Sequence, residues 1–98
     1  MEQFIIIMKL TDQGVKTVKT TTQIIGDAQK ILADRGGQMT ACYLTMGDID
    51  YIAVCEAPND EAILSFVLSL GATGNVRTNT LKAFPAGLVE KLEVMITI

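Results

Sequence analysis

The first strand-like segment, residues 3–10, has apolar side chains at both its even and its odd positions, so neither of its faces is suited to water. The segment is rich in β-branched residues and too short for a helix. A second strand-like segment, residues 50–56, also lacks polar alternation. A sheet that has helices on one side only normally alternates apolar and polar residues. Both faces of this predicted sheet therefore need a cover.

Two amphipathic helices are predicted between the strands. The first runs from Gln23 to the glycine pair at 36–37, where a left-handed glycine is a common helix stop. The threonines at 20–22 indicate a cap or a break before it. Asn59 is the predicted N-cap of the second helix, which has acidic residues in its first turn and ends at Gly71.

The remaining strands complete a known arrangement. Residues 38–46 and 50–56 are predicted to pair around a hairpin turn at Gly47, and a fourth strand is predicted over 76–84. The resulting βαββαβ order with right-handed crossovers predicts an α+β, ferredoxin-like fold, in which two helices cover one face of a four-stranded antiparallel sheet.

The 98 residues are enough for one domain, with a core over about 3–85 and a C-terminal appendage over 86–98. A short helix from Pro85 to Leu92 is predicted, followed by an extended tail over 94–98. The apolar alternation of that tail favours pairing with a strand edge, in particular one of another subunit. A frayed terminus is the alternative.

The uncovered sheet face predicts a homodimer or higher homo-oligomer, because an apolar patch of this size is large for a soluble monomer. Two sheets packed face to face in such an oligomer would leave a cavity between them. The alternative is that the segment from Leu88 to Ile98 folds back over its own sheet.

Composition excludes several functions. A net charge of -3 with scattered lysines argues against nucleic acid as a partner, and the chain has no histidine for an imidazole metal site or a Ser-His pair. We expect no metal and no cofactor.

No apolar run is long enough to span a membrane. Cys42 and Cys55 are expected to be free thiols in a cytoplasmic, reducing compartment.

Two segments resemble a known family. Residues 47–62, Gly-Asp-Ile-Asp-Tyr-Ile-Ala-Val-Cys-Glu-Ala-Pro-Asn-Asp-Glu-Ala, and residues 70–84, Leu-Gly-Ala-Thr-Gly-Asn-Val-Arg-Thr-Asn-Thr-Leu-Lys-Ala-Phe, are similar to the GYD domain, a resemblance that covers about residues 3–90. Gly47 and Asp50 match the pattern behind the family's name, whereas its tyrosine position holds Ile49. The resemblance implies a ferredoxin-like fold related to dimeric α+β barrels, and no established reaction.

Five residues are candidates for binding a small apolar or weakly anionic ligand, each with a structural alternative. Asp50 could accept a proton at a cavity mouth or bind turn amides. Glu56 could line a pocket, reach water at the strand end or pair with a cation such as Arg77. Arg77 could hold an anion or pair with a surface acid. Tyr43 and Tyr51 could present hydroxyls to a ligand or belong to the core or an interface.

The sequence leaves three functions open. The first is a homo-oligomeric barrel that binds a small ligand without chemistry. The second is a cofactor-free oxygenase or isomerase acting in the cavity between the sheets, and the third is a purely structural, self-assembling protein. No nucleophile–base pair is visible in the sequence. Asp50 and Glu56 are six residues apart on a strand, a separation of about 20 Å that argues against a catalytic pair.

Overall fold

The sheet has four strands, which are β1 (Glu2–Leu10), β2 (Gln38–Leu44), β3 (Tyr51–Ala57) and β4 (Val76–Ala83). The computed structural model describes residues 1–97, and for Thr21 the backbone alone. The strand order is β2-β3-β1-β4, and all of the strand pairs are antiparallel. This arrangement confirms the predicted ferredoxin-like fold.

Two long helices cover one face of the sheet. The helices are α1 (Asp12–Lys16), α2 (Thr21–Asp34), α3 (Asp60–Ala72) and α4 (Val89–Leu92), with 3-10 turns at Val18–Thr20, Ala86–Leu88 and Glu93–Met95. None of the helices within residues 1–97 has the length and hydropathy of a membrane span.

Local signals define most helix ends. The Asn59 side chain accepts a hydrogen bond from the Ala62 amide at 2.9 Å, which confirms the predicted N-cap of α3. Gly36 adopts a φ of 79° directly after α2, as expected for a glycine stop. The predicted stop at Gly71 is wrong, because α3 continues to Ala72. The left-handed residue beyond it is Gly74, also with a φ of 79°.

The start of α2 also differs from the prediction. The helix begins at Thr21 and not at Gln23, with Thr20 at the N-cap position. Thr20 makes no side-chain capping bond, because its hydroxyl donates instead to the carbonyl of Thr17 at 2.7 Å. The 3-10 turn Val18–Thr20 therefore leads directly into α2, and the threonines do not break the helix.

The core lies between the sheet and the two long helices. Phe4, Ile6 and Met8 of β1 are buried there, and Ile5 and Ile7 on the opposite face are half-buried. The largest fully buried side chains are Phe66, Ile6, Leu32 and Cys55. No polar or charged residue is buried in the described part of the chain.

The chain after β1 is anchored to the loop before β4. The Thr11 amide donates to the Asn75 carbonyl at 3.0 Å, and the Thr11 hydroxyl donates to the Gly74 carbonyl at 2.5 Å. A Cβ atom on Gly14 would lie 2.1 Å from the Asn75 carbonyl oxygen, so this approach requires glycine. These contacts hold one end of the helical layer against the sheet.

The C-terminal segment does not form the predicted extended tail. Residues Glu93–Met95 form a 3-10 turn after α4, and the Ile96 amide donates to the Leu92 carbonyl at 3.0 Å. Continuing the helical turn satisfies backbone groups locally, which an unpaired strand would not. Ile96 is extended, and Ile98 lies outside the described residues.

This segment also leaves its own sheet uncovered. Val94 is 90% exposed and Met95 69% exposed, and α4 packs chiefly against the 3-10 turns that flank it. Of the two covers proposed for the second sheet face, folding back of the tail is therefore wrong within the described chain. Pairing of the tail with another subunit stays a prediction.

Candidate binding site

The sheet face opposite the helices, here called the open face, carries an apolar band across all four strands. Cross-strand partners share a face, and the register joins Tyr43 to Ile52 and Ile52 to Ile7. A neighbouring row joins Val54 to Ile5 and Ile5 to Leu81. The band consists of Ala41, Tyr43, Ile52, Val54, Ile5, Ile7 and Leu81. Tyr43 is 60% exposed and Leu81 45% exposed, whereas the other members are half-buried.

Charged residues lie at the two ends of the open face. At one end Lys9 of β1 is directly opposite Arg77 of β4, and both side chains are exposed. At the other end Glu56 of β3 lies between Gln3 and Gln38. Six residues of β1 separate these ends, a distance of about 20 Å. Glu56 and Arg77 are therefore not partners within one chain, although both belong to the open face.

Asp50 connects the β2–β3 loop to β1. Its Oδ2 atom accepts a hydrogen bond from the Leu10 amide at 2.8 Å, and its own amide donates to the Met8 carbonyl at 3.0 Å. Its carbonyl accepts from the Thr45 amide at 2.8 Å. These three bonds extend the sheet hydrogen bonding beyond the end of β3, which favours the structural alternative for Asp50.

Tyr51 lies on the other side of the sheet, under the helices. It is 6% exposed and lines a cavity of about 200 Å³ between α2, α3 and the sheet. The wall is mostly apolar and includes Ile6, Met8, Leu10, Ile24, Ile25, Ala28, Ile31, Met39, Cys42, Ala53, Phe66, Leu70 and Val76. We call this space the α2 cavity.

The two cysteines share the helix-covered face but are not directly opposite each other. Cys42 pairs with Ala53 and Met39 with Cys55, and the strand register shifts between Met39 and Ala41. Burial raises the pKa of both thiols, that of Cys55 to about 11, with the nearby Cys42 adding to the effect. Both thiols are therefore protonated at neutral pH and poor nucleophiles.

Sequence comparison connects this geometry with known proteins. The GYD domain profile matches residues 4–92. This chain belongs to the GYD domain family. In Thermus thermophilus, the glutamine synthetase and cystathionine beta-lyase binding protein is 35% identical over 95 residues, which are 95% of this chain and 100% of that protein.

Solved structures share the fold of this GYD chain. The crystal structure of MtbAldR superposes with a TM-score of 0.68 at 21% identity, covering 86% of this chain and 53% of that one. The chain thus spans about half the length of MtbAldR. The crystal structure of TTHA0845 from Thermus thermophilus superposes with a TM-score of 0.56 at 22% identity, covering 88% of this chain and 96% of that one.

The five candidate residues of the GYD chain do not form one site within the protomer. Tyr43, Glu56 and Arg77 belong to the open face, Tyr51 lines the α2 cavity, and Asp50 lies in the loop at the sheet end. Within residues 1–97, no group of three or more Cys, Asp or Glu side chains is placed to hold a metal ion. The five residues therefore lie on two faces of the sheet and in one loop, and they do not converge on one point of the protomer.

Sequence reasoning missed the α2 cavity. The signal was available in the small residues Ala28 of α2 and Ala53 of β3, which line this cavity between large apolar neighbours. Sequence alone does not show that these two positions share one cavity, because they lie on separate elements.

Proposed function

We propose that this GYD chain is a homodimeric binding protein that performs no chemistry itself and docks to enzymes of amino-acid metabolism. The open face is the observation that carries the proposal. A face that is apolar across four strands and exposes Tyr43 and Leu81 gains free energy when it is covered.

A second copy of the chain is the cover that fits this face. The open face has cations at one end, Lys9 and Arg77, and the carboxylate of Glu56 at the other. A two-fold axis perpendicular to β1 would place the cationic end of one protomer over the acidic end of the next. Attraction between these ends favours this antiparallel stacking, and repulsion disfavours the alternative that superposes like charges.

Such a dimer would enclose the space predicted between the two sheets. Tyr43, Glu56 and Arg77 would then border it, and their polar groups would suit a small apolar or weakly anionic ligand. Asp50 and Tyr51 would contribute from outside this space, the first by holding the sheet end and the second by packing under it.

The enzyme partner is suggested by the relative in Thermus thermophilus, whose name describes binding to glutamine synthetase and to cystathionine beta-lyase. The match extends over the full length of that protein, so its binding surfaces lie within the part that the two chains share. Docking to enzymes of this kind would use the helical side or the appendage, since the open face is occupied in the dimer. The proposal includes a cytoplasmic location, where two free thiols are stable.

The test uses purified proteins from the organism that supplies this chain. We expect sedimentation velocity to show a homodimer of the 10.6 kDa chain, and a faster complex after addition of its glutamine synthetase or cystathionine beta-lyase. An unrelated enzyme of similar size is the control. A monomer at micromolar concentration would contradict the dimer, and absence of a complex with either enzyme would contradict the proposed partner.

A further inference from the structure

The α2 cavity is bordered both by α2 and by the sheet beneath it. Among the apolar residues of α2 that line it, Ile24, Ile25 and Ile31 are only half-buried, whereas Ala28 is buried. Large side chains of an amphipathic helix normally contact the sheet beneath them at interior density. Ile25 and Ile31 pack against the buried core, and with Ile24 they also border a volume of about 200 Å³.

Water is poorly suited to this volume. A buried water needs two to four polar partners, and within the described residues every buried side-chain nitrogen or oxygen already has a hydrogen-bond partner. Among the polar residues of the wall, the Thr73 hydroxyl donates to the Leu70 carbonyl at 2.7 Å, and Asn75 accepts from Gln13 at 3.1 Å. The wall therefore offers dispersion contacts with few unused hydrogen-bonding groups.

We propose that the α2 cavity is a binding site for a small, uncharged, mainly apolar molecule with a single ring system. An apolar protein cavity of about 150 Å³ is known to bind benzene, so this larger volume accommodates one ring with a substituent or a fused pair. A ligand charge of either sign would lose its hydration against the mostly apolar wall, and Asp27 at that wall repels anions in addition. This site lies on the helical side of the sheet and is distinct from the space between two open faces.

Indole is a suitable probe because it is uncharged, and the chain contains no tryptophan to obscure its fluorescence. We expect saturable binding of indole with one site per chain, and binding of anionic indole-3-acetate at least tenfold weaker. Equal or tighter binding of indole-3-acetate would overturn the proposal, as would failure of indole to bind up to its solubility.

Isoleucine methyl groups locate the bound probe, because the chain has isoleucines on both sides of the sheet. We expect chemical-shift changes at the cavity residues Ile6, Ile24, Ile25 and Ile31 in a sample with labelled isoleucine δ1-methyls. Changes confined to Ile5, Ile7 and Ile52 of the open face would place indole between the sheets and overturn the proposal.

Filling the cavity provides the complementary test. Ala28→Leu adds three carbons to the wall and is expected to weaken indole binding at least tenfold. Ala33→Leu is the matched control, since Ala33 is exposed on the same helix and does not line the cavity. If Ala28→Leu fails to fold, Ile25→Phe from the wall replaces it. Unchanged affinity in the folded variant would overturn the proposal.

Discussion

The carboxylate of Asp50 accepts a hydrogen bond from the Leu10 amide at 2.8 Å and so joins two segments that are 40 residues apart in sequence. We predict that Asp50→Ala lowers the free energy of unfolding by about 2 kcal/mol, because a half-buried amide loses a charged acceptor. Urea denaturation measures this loss.

Asp50→Asn keeps an oxygen acceptor and is expected to lose less stability. Asp48→Ala is the control in the same loop, since Asp48 is exposed. If Asp50→Ala leaves the unfolding free energy unchanged, the structural role of Asp50 is wrong.

The open face supplies the second prediction. Ile7→Glu places a carboxylate in the middle of the apolar band, where burial in an interface costs several kcal/mol. We expect this variant to be a folded monomer at concentrations where the wild type is a dimer, as measured by sedimentation equilibrium.

Leu68→Glu is its control, because Leu68 is 71% exposed on α3, away from the open face. That variant should retain the wild-type mass. Dimerisation of Ile7→Glu with wild-type affinity would show that the open face is not the interface.

The orientation of the two sheets gives the third prediction. In the antiparallel stacking proposed above, Glu56→Arg and Arg77→Glu each weaken the dimer, and the double variant recovers affinity because the opposed charges are exchanged. The coupling expected for a rim pair is about 1 kcal/mol. If the two cationic ends faced each other instead, Arg77→Glu alone would not weaken the dimer. The new carboxylate would then pair with Lys9 of the partner subunit.

The cysteines give a fourth prediction. Cys55 is fully buried and Cys42 partly exposed, so a thiol reagent should label Cys42 first and Cys55 only on unfolding. Mass spectrometry of the partly labelled protein measures the order.

Because Cys42 is opposite Ala53, no disulfide is expected under mild oxidation of the folded chain. Formation of a Cys42–Cys55 disulfide without unfolding would contradict this geometry.

The raised pKa of Cys55 also has a consequence for stability. Its pKa rises from 9.0 to about 11 in the folded chain, so the folded state holds the thiol proton more tightly. The contribution of Cys55 to the free energy of unfolding is fully present below pH 9.0 and is lost as the pH rises through about 11. The reason is that the thiol of the unfolded chain loses its proton at a lower pH than the thiol of the folded chain. Cys55→Ala should flatten this alkaline decline relative to Cys42→Ala.

A surface ion cluster gives the fifth prediction. Lys82 lies 2.9 Å from Asp60 and 3.2 Å from Glu2, and its hydrogen bond holds the pKa of Asp60 below the usual 3.8. A lowered carboxyl pKa stabilises the fold above 3.8, and this contribution is lost as the pH falls through the folded-state pKa.

We therefore expect Lys82→Met to raise the Asp60 pKa towards its ordinary value in a carboxyl NMR titration. Lys91→Met is the control, since Lys91 is exposed on α4 and is not a member of the cluster. An unchanged Asp60 titration in Lys82→Met would show that the ion pair does not form in solution.

Local sequence signals determined where the helices and strands lie. They also determined that the sheet has a second apolar face, which the helices do not cover. Asn59 caps α3 and Gly36 stops α2 through contacts within a few residues, which is why sequence reasoning located both. Successive side chains of a strand point to opposite faces of the sheet. The sequence of β1 therefore placed Phe4 and Ile6 on one face and Ile5 on the other. The uncovered apolar face follows from the same alternation.

Tertiary structure alone decided how the candidate residues are grouped. The bulge between Met39 and Ala41 sets which β2 residue lies opposite Cys55, and no local pattern predicts that shift. Asp50 binds Leu10 only because β1 and β3 are neighbours, and Ala28 and Ala53 line one cavity only because α2 packs over the sheet in the fold. Side-chain alternation and capping act over a few residues, whereas register and layer spacing depend on the packing of distant segments, which the local pattern does not encode.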